Sequence, residues 1–260
     1  MTAVLDPAAR RAELTTRLGQ VRERIGAACG AAGRSRDDVR LIVVTKYFPA
    51  SDIEVLSELG VTDIGESRDQ EASAKIASLP PGVRRCLQVH FIGQLQSNKA
   101  GSVAAYVDTV HSIDRDKLVI ALDRAATAAG RDIGALVQVS LDVGAAGSAG
   151  ATSTSGSGTA GAAAAARGGI PPDGVGAIAN SIAAAQHLRL LGLMAVAPQG
   201  VDPAAAFANL ASVSRDIRAD HPGATWISAG MSADLESAVA NGATHLRVGS
   251  AILGSRPVLG

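Results

Sequence analysis

Lys46 follows the apolar run Leu41-Ile42-Val43-Val44-Thr45, whose unbroken hydrophobicity is that of a strand buried on both faces. A lysine at the mouth of such a strand keeps its amine at the rim of a low-dielectric core, where desolvation favours the neutral form. A neutral amine is the nucleophile that condenses with an aldehyde to a Schiff base. A solvated surface lysine just past a strand end is the plainer account of the position. Lys46 alone does not choose between the two.

Two C-terminal motifs have the residues of an anion site. Trp226-Ile227-Ser228-Ala229-Gly230-Met231-Ser232 puts small residues and hydroxyls between a strand and a helix expected to open at Ser232. Ser232 is the expected N-cap, with Asp234 and Glu236 in the first turn. Such a turn either simply caps the helix or aims backbone N–H groups at a phosphate. In His245-Leu246-Arg247-Val248-Gly249-Ser250, Arg247 alternates with apolar neighbours, so its charge needs a partner. That partner is either a carboxylate closing one end of the fold or a ligand. His90, in Val89-His90-Phe91-Ile92-Gly93, reads more readily as a satisfied core histidine than as a catalyst. Glu66, in Asp63-Ile64-Gly65-Glu66-Ser67, reads as half of a structural ion pair. No HExxH, no CxxC and no ordered Ser-His-Asp or Cys-His set is present, so neither a metal centre nor a catalytic triad is expected.

The elements that must position these residues alternate. Strand-like runs fall at 41–45, 61–64, 87–92, 107–110, 135–141, 188–194, 224–228 and 245–248. Helix-like stretches lie between them at 51–59, 68–78, 96–104, 114–129, 173–185, 203–219 and 232–241. A further helix over 8–32 carries Leu14, Leu18, Val21 and Ile25 at helical spacing. The expectation is an α/β fold, a single (β/α)8 TIM-type barrel with an extra N-terminal helix, over residues 1–260. A doubly wound sheet is the alternative, since alternation does not show closure. In such barrels phosphate sites commonly follow strands seven and eight, where the two motifs fall.

The chain has 260 residues, with 24 Lys plus Arg against 24 Asp plus Glu. Zero net charge gives no electrostatic footprint for nucleic acid or an anionic membrane surface. No apolar stretch is long enough to span a bilayer, and the N-terminus has no secretory pattern. Cys29 and Cys86 match no metal spacing and read as reduced, buried thiols of a cytoplasmic protein. Residues 143–169 contain only Gly, Ala, Ser, Thr, one Val and one Arg. With nothing large to bury, this segment reads as a disordered insertion in the loop after the fifth strand.

Taken in order, VVTKYFPASDI, DIGES, HFIGQLQSNKA, VHSIDR, LRLLGLMAVAP and SAGMSADLESAVANGATHLRVGSAILGSR resemble the pyridoxal phosphate homeostasis proteins, barrels related to the N-terminal domain of alanine racemases. The resemblance implies that pyridoxal 5'-phosphate (PLP) is held as an internal aldimine on Lys46. It also implies that Ser228, Gly230, Met231, Ser232, Arg247, Gly249 and Ser250 bind the phosphate and face the pyridine ring. The family's G-E-N is Gly65-Glu66-Ser67 here, and its turn after strand five survives as Arg167-Gly168-Gly169.

The implied function is a carrier that buffers free PLP and passes it to PLP-dependent client enzymes. A racemase-like enzyme on the same cofactor and a cofactor-free Schiff-base aldolase are the competing readings. An arginine facing the pyridine nitrogen would leave it unprotonated, a poor electron sink. Racemases add a tyrosine base from a second domain, which is not expected here, and strand alternation should turn Tyr47 away from Lys46. These points favour the carrier. Deleting residues 145–165 is expected to shift the melting temperature by less than about 2 °C and leave PLP affinity unchanged. Thermal scans and cofactor titrations of the two proteins check this.

Overall fold

The computed structural model describes residues 6–141 and 168–256. Eight parallel strands close in chain order: β1 (Arg40–Val44), β2 (Asp63–Glu66), β3 (Gln88–Phe91), β4 (Thr109–Ile113), β5 (Ile133–Gln138), β6 (Leu188–Met194), β7 (Trp226–Ser228) and β8 (His245–Val248). β8 pairs back onto β1, with Ile42 opposite Arg247 and Val43 opposite Val248. An open doubly wound sheet has no such pairing, so the expected barrel is the fold.

The outer layer among the described residues is α1 (Pro7–Ala31), α2 (Ala50–Glu58), α3 (Asp69–Ser78), α4 (Pro81–Arg85), α5 (Ala100–Ala104), α6 (Asp116–Ala129), α7 (Val175–Ala184), α8 (Pro203–Asp220), α9 (Leu235–Ala240) and α10 (Ser250–Leu253). The Asp6 carboxylate caps α1 by accepting the Ala8 N–H, and Pro7 suits its first turn. Leu14, Leu18, Val21 and Ile25 recur every three or four residues and are buried. The helix lies against α2, α9 and α10. Because α10 has only four residues, α1 completes the helical layer where the last barrel helix is too short. The N-terminal helix is therefore part of the barrel wall and not an appendage.

Strand faces divide two cores. Val43, Ile64, Val89, Phe91, Val110, Leu246 and Val248 belong to the apolar layer between sheet and helices. Their neighbours His90, His111, Ser228, His245 and Arg247 meet one another inside the barrel. A small apolar cluster of Leu136, Leu191 and Met194 fills another part of that interior.

Several local expectations need correction. β2 and β4 lie two residues later than the apolar runs suggested, because Asp63, Glu66 and His111 are buried through polar partners that hydrophobicity does not signal. The helix expected over 96–104 is a 3-10 turn at Ser97–Lys99 followed by α5, and α4 was not foreseen. The helix expected to open at Ser232 begins at Leu235. Ser232 is not its N-cap, because the preceding Asp234 accepts the Met231 N–H at 2.5 Å and closes a turn first. Cys29 is buried, but Cys86 is exposed just past α4. Apart from Gly168 and Gly169, the expected insertion over 143–169, Arg167 included, lies outside the described residues. The chain returns at Ile170, whose N–H donates to the Gln138 carbonyl, at the C-terminal end of β5.

No helix among the described residues is long and apolar enough to cross a membrane. Leu18→Ala should cost about 3 kcal/mol, since it opens a cavity in the wholly buried face of α1. Urea denaturation is expected to show a lower midpoint with an unchanged slope.

Candidate functional site

Lys46 lies two residues beyond β1, half-buried in a turn at the barrel mouth. Its neighbour Tyr47 has φ 72°, a left-handed backbone that non-glycine residues adopt at a cost of about 1–2 kcal/mol. Strand alternation consequently fails here: the Lys46 ammonium lies 5.8 Å from the centre of the Tyr47 ring, and Tyr47 is not turned away. Arg256 and Arg68 also approach that ring, at 3.9 and 5.5 Å.

A buried ionic cluster holds this turn in place. Lys75, on α3, donates to the Thr45 carbonyl at 2.9 Å, to Glu66 Oε1 at 2.9 Å and to Glu71 Oε1 at 3.0 Å. Glu71 accepts the Tyr47 N–H, and Glu66 Oε1 accepts the Thr45 hydroxyl at 2.7 Å. The residues on both sides of Lys46 are thereby fixed by the same three charged groups. All three Lys75 protons are engaged, so its amine is not free to attack a carbonyl. Lys46 has no such partners among the hydrogen bonds and ion pairs of the described residues. Burial raises the Glu66 pKa, which Lys75 counteracts, and Glu66 Oε2 is buried without a hydrogen bond. The ion-pair role expected of Glu66 is thus the observed one.

Across the β1–β8 seam stand the two C-terminal motifs. In the loop after β7, Gly230 has φ 88°, and a Cβ there would fall 2.6 Å from Ala238 Cβ. Only glycine lets the chain turn this closely over α9. The Met231 N–H is taken by Asp234, while Arg24 of α1 donates to the Ser232 carbonyl at 3.2 Å. The Ser232 hydroxyl meets that of Ser250, 3.3 Å away, at the start of α10 just past β8. A Cβ on Gly249 would lie 3.2 Å from the Val44 carbonyl, so the loop after β8 presses directly against the end of β1 that leads to Lys46.

Arg247 is buried inside the mouth. It donates to Ser228 Oγ at 2.7 Å and to the Ala195 carbonyl at 2.8 Å. No carboxylate among the described residues forms an ion pair with it. Desolvation lowers its pKa to about 10, so it stays charged at neutral pH. Ser228 faces the barrel interior beneath Arg247, whereas Gly230, Met231, Ser232 and Gly249 lie in the two loops and Ser250 opens α10. Beside the Lys46 turn a cleft of about 1190 Å³ opens between the loops after β1, β2 and β3, with Ser67, Gln94 and Lys99 on its walls. Sequence reasoning missed Lys75 and Thr45. The Glu71–Lys75 spacing of four on one helix was their visible signal.

This donor set suits a phosphorylated aldehyde. It offers one amine without a hydrogen-bond partner, paired hydroxyls on tight glycine turns, and a buried guanidinium lacking a carboxylate.

Residues 17–257 match the family model of the alanine racemase N-terminal domain. A pyridoxal phosphate homeostasis protein of Mycobacterium tuberculosis is 41% identical over 263 residues, covering 95% of this chain and 94% of that one. One of Corynebacterium glutamicum is 37% identical over 242 residues, covering 90% and 98%. The chain therefore belongs to the pyridoxal phosphate homeostasis protein family, within the alanine racemase N-terminal domain class. PipY of Synechococcus elongatus, solved with PLP bound, is 30% identical with a TM-score of 0.73, over 93% of this chain and all of that one.

The interior histidines make the fold acid-sensitive. Burial drives His111 well below the usual 6.5, and burial with neighbouring cations takes His245 down to about 3. Between pH 6.5 and these values the unfolded chain binds protons that the native one refuses, so stability falls with pH, by up to about 1.4 kcal/mol per unit for each histidine. Glu66, raised above 4.5, acts in the opposite sense just above that pH. Urea midpoints measured between pH 7.5 and 5 should show the loss, and His245→Gln should remove one histidine's share of the slope.

Proposed function

We propose that this protein holds pyridoxal 5'-phosphate covalently on Lys46 and serves as a PLP carrier in the cytoplasm, releasing the cofactor to PLP-dependent enzymes. The observation that carries this reading is the half-buried amine of Lys46 beside the hydroxyl- and glycine-lined loops after β7 and β8, across the β1–β8 seam. The PLP in PipY and the names of the relatives support it. When bound, the cofactor supplies an aldehyde that a lysine amine can take up as a C=N bond absorbing visible light.

The roles of the remaining residues follow from what each can donate. Ser232, Ser250 and the backbone at Gly230 and Gly249 would take the phosphate, with Met231, whose N–H is held by Asp234, shaping the turn between them. Arg247 would stand at the ring nitrogen, where a group that only donates keeps that nitrogen unprotonated. This environment suits retention of the cofactor better than carbanion chemistry, and so favours a carrier over a racemase. Tyr106 does not supply a base either, since burial and Asp69 hold its phenol far above the ordinary value. The balanced charge of the chain speaks against nucleic acid as a partner.

Lys46→Ala should abolish the visible band that appears when wild-type protein is incubated with PLP, while leaving the melting temperature near that of the wild type. Borohydride reduction and peptide mapping should find the pyridoxyl group on Lys46. Modification of Lys75 or Lys99 in its place would contradict the assignment.

A further inference from the structure

Arg247 is the head of a hydrogen-bonded chain that crosses the barrel interior. Its Nη1 lies 2.7 Å from Ser228 Oγ, which lies 3.0 Å from His111 Nδ1. His111 Nε2 is 2.9 Å from His90 Nδ1, and His90 Nε2 is 3.1 Å from Asp63 Oδ1. Five strands contribute one residue each, and all five residues are buried. Asp63 is the first residue of β2, so the chain ends at the pole of the barrel opposite the mouth. There Asp63 also takes the Thr62 hydroxyl at 2.6 Å and faces the exposed Arg40 at 3.7 Å.

The donor at each link follows from the link before it. A guanidinium only donates, so Ser228 Oγ accepts from Arg247 and must send its single hydrogen elsewhere. Its other partner is His111 Nδ1, which must then carry the lone pair. The His111 hydrogen is consequently on Nε2 and goes to His90 Nδ1. That places the His90 hydrogen on Nε2, directed at the Asp63 carboxylate. One protonation pattern satisfies every atom, with both imidazoles neutral. Burial and the nearby His90, Arg247 and His245 oppose charging His111, while hydrogen bonds from His90 and Thr62 keep Asp63 ionised against its desolvation. Trp226, stacked on His245 at 3.9 Å, also lies beside His90.

From this geometry we infer that Asp63, His90 and His111 are positioning residues for the mouth: through Ser228 they fix the guanidinium of Arg247 and give it a counter-charge at the far pole of the barrel. Asp234, on the loop after β7, also acts on Arg247 electrostatically, but no hydrogen bond or ion pair joins them among the described residues. Relayed charge is stronger in a dry interior than in water, and aligned hydrogen bonds reinforce one another. The consequence for the cofactor rests on the reading that Arg247 faces its ring. The hydrogen-bond pattern itself does not.

Two measurements decide the inference separately from that reading. Two-bond 15N–1H correlation on the protein without PLP at pH 8.5 should show His90 and His111 as Nε2-protonated imidazoles. An Nδ1-protonated or doubly protonated ring at either position would overturn the chain. In Asp63→Asn the amide oxygen can still accept from His90, but the charge is gone. The PLP-loaded variant should then titrate its visible band at a pH lower by ~0.5 unit or more than wild type, because Arg247 has lost its counter-charge. A titration identical to wild type, with the correlation pattern intact, would refute the relay of charge. If wild type itself takes up no PLP, the proposed function fails, and the correlation spectra still decide the chain. If Asp63→Asn does not fold, the tautomers of the wild-type protein remain the deciding observation.

Discussion

The pairing of β8 with β1 is the constraint on which the candidate site depends. Chain neighbours supply none of its essential proximities: Lys46 and Arg247 are 201 positions apart, and only closure brings their strands side by side. The register sets Ile42 against Arg247, so the chain leaving β1 toward Lys46 runs beside the chain leaving β8 toward Gly249 and Ser250. Gly249 is squeezed against the Val44 carbonyl because the seam leaves no room for a side chain. α1 secures this seam from outside, since α10 is too short to cover it, and its Arg24 reaches the Ser232 loop. The N-terminal helix is thus linked mechanically to the loop proposed to hold the phosphate.

Charge is placed unusually on both sides of β2. Toward the helices, Glu66 and Lys75 form a buried pair that braces the turn on either side of Lys46. Toward the barrel interior, Asp63 begins the chain that ends at Arg247. Buried ion pairs rarely add net stability, because desolvation cancels much of the attraction. Their value here lies in geometry: the ammonium of Lys75 and the carboxylate of Glu71 hold a backbone that Tyr47 would otherwise resist. The lysine that serves as scaffold and the lysine proposed to react are distinguished by their partners and not by their burial alone.

The barrel type and the Lys46, Gly-Ser and Ser-x-Gly-Met-Ser motifs were legible in the chain, because apolar strand runs, helical periodicity and glycine placement are local properties. α1 was legible for the same reason: Leu14, Leu18, Val21 and Ile25 repeat at the helical period over a long stretch. Even there, its place in the barrel wall could not be read, since the shortness of α10 becomes important only once the ring is built. The opening of α9 was misplaced because Ser232 and Asp234 are both good capping residues, and the hydrogen bond from Met231 decides between them.

What only the tertiary structure decided is which polar residues meet. His90 was expected to be a satisfied core histidine and is one, but its partners Asp63 and His111 come from other strands and carry no local signal. Arg247 left two options open from sequence, a carboxylate partner or a ligand. The fold gives it a hydroxyl and a carbonyl, and no carboxylate among the described residues forms an ion pair with it. Hydrophobic periodicity states which face of a strand is buried but is silent on which charged groups share the space, because hydrogen bonds are short-ranged and directional. Eight strands had to close before donors and acceptors from five of them could form one line.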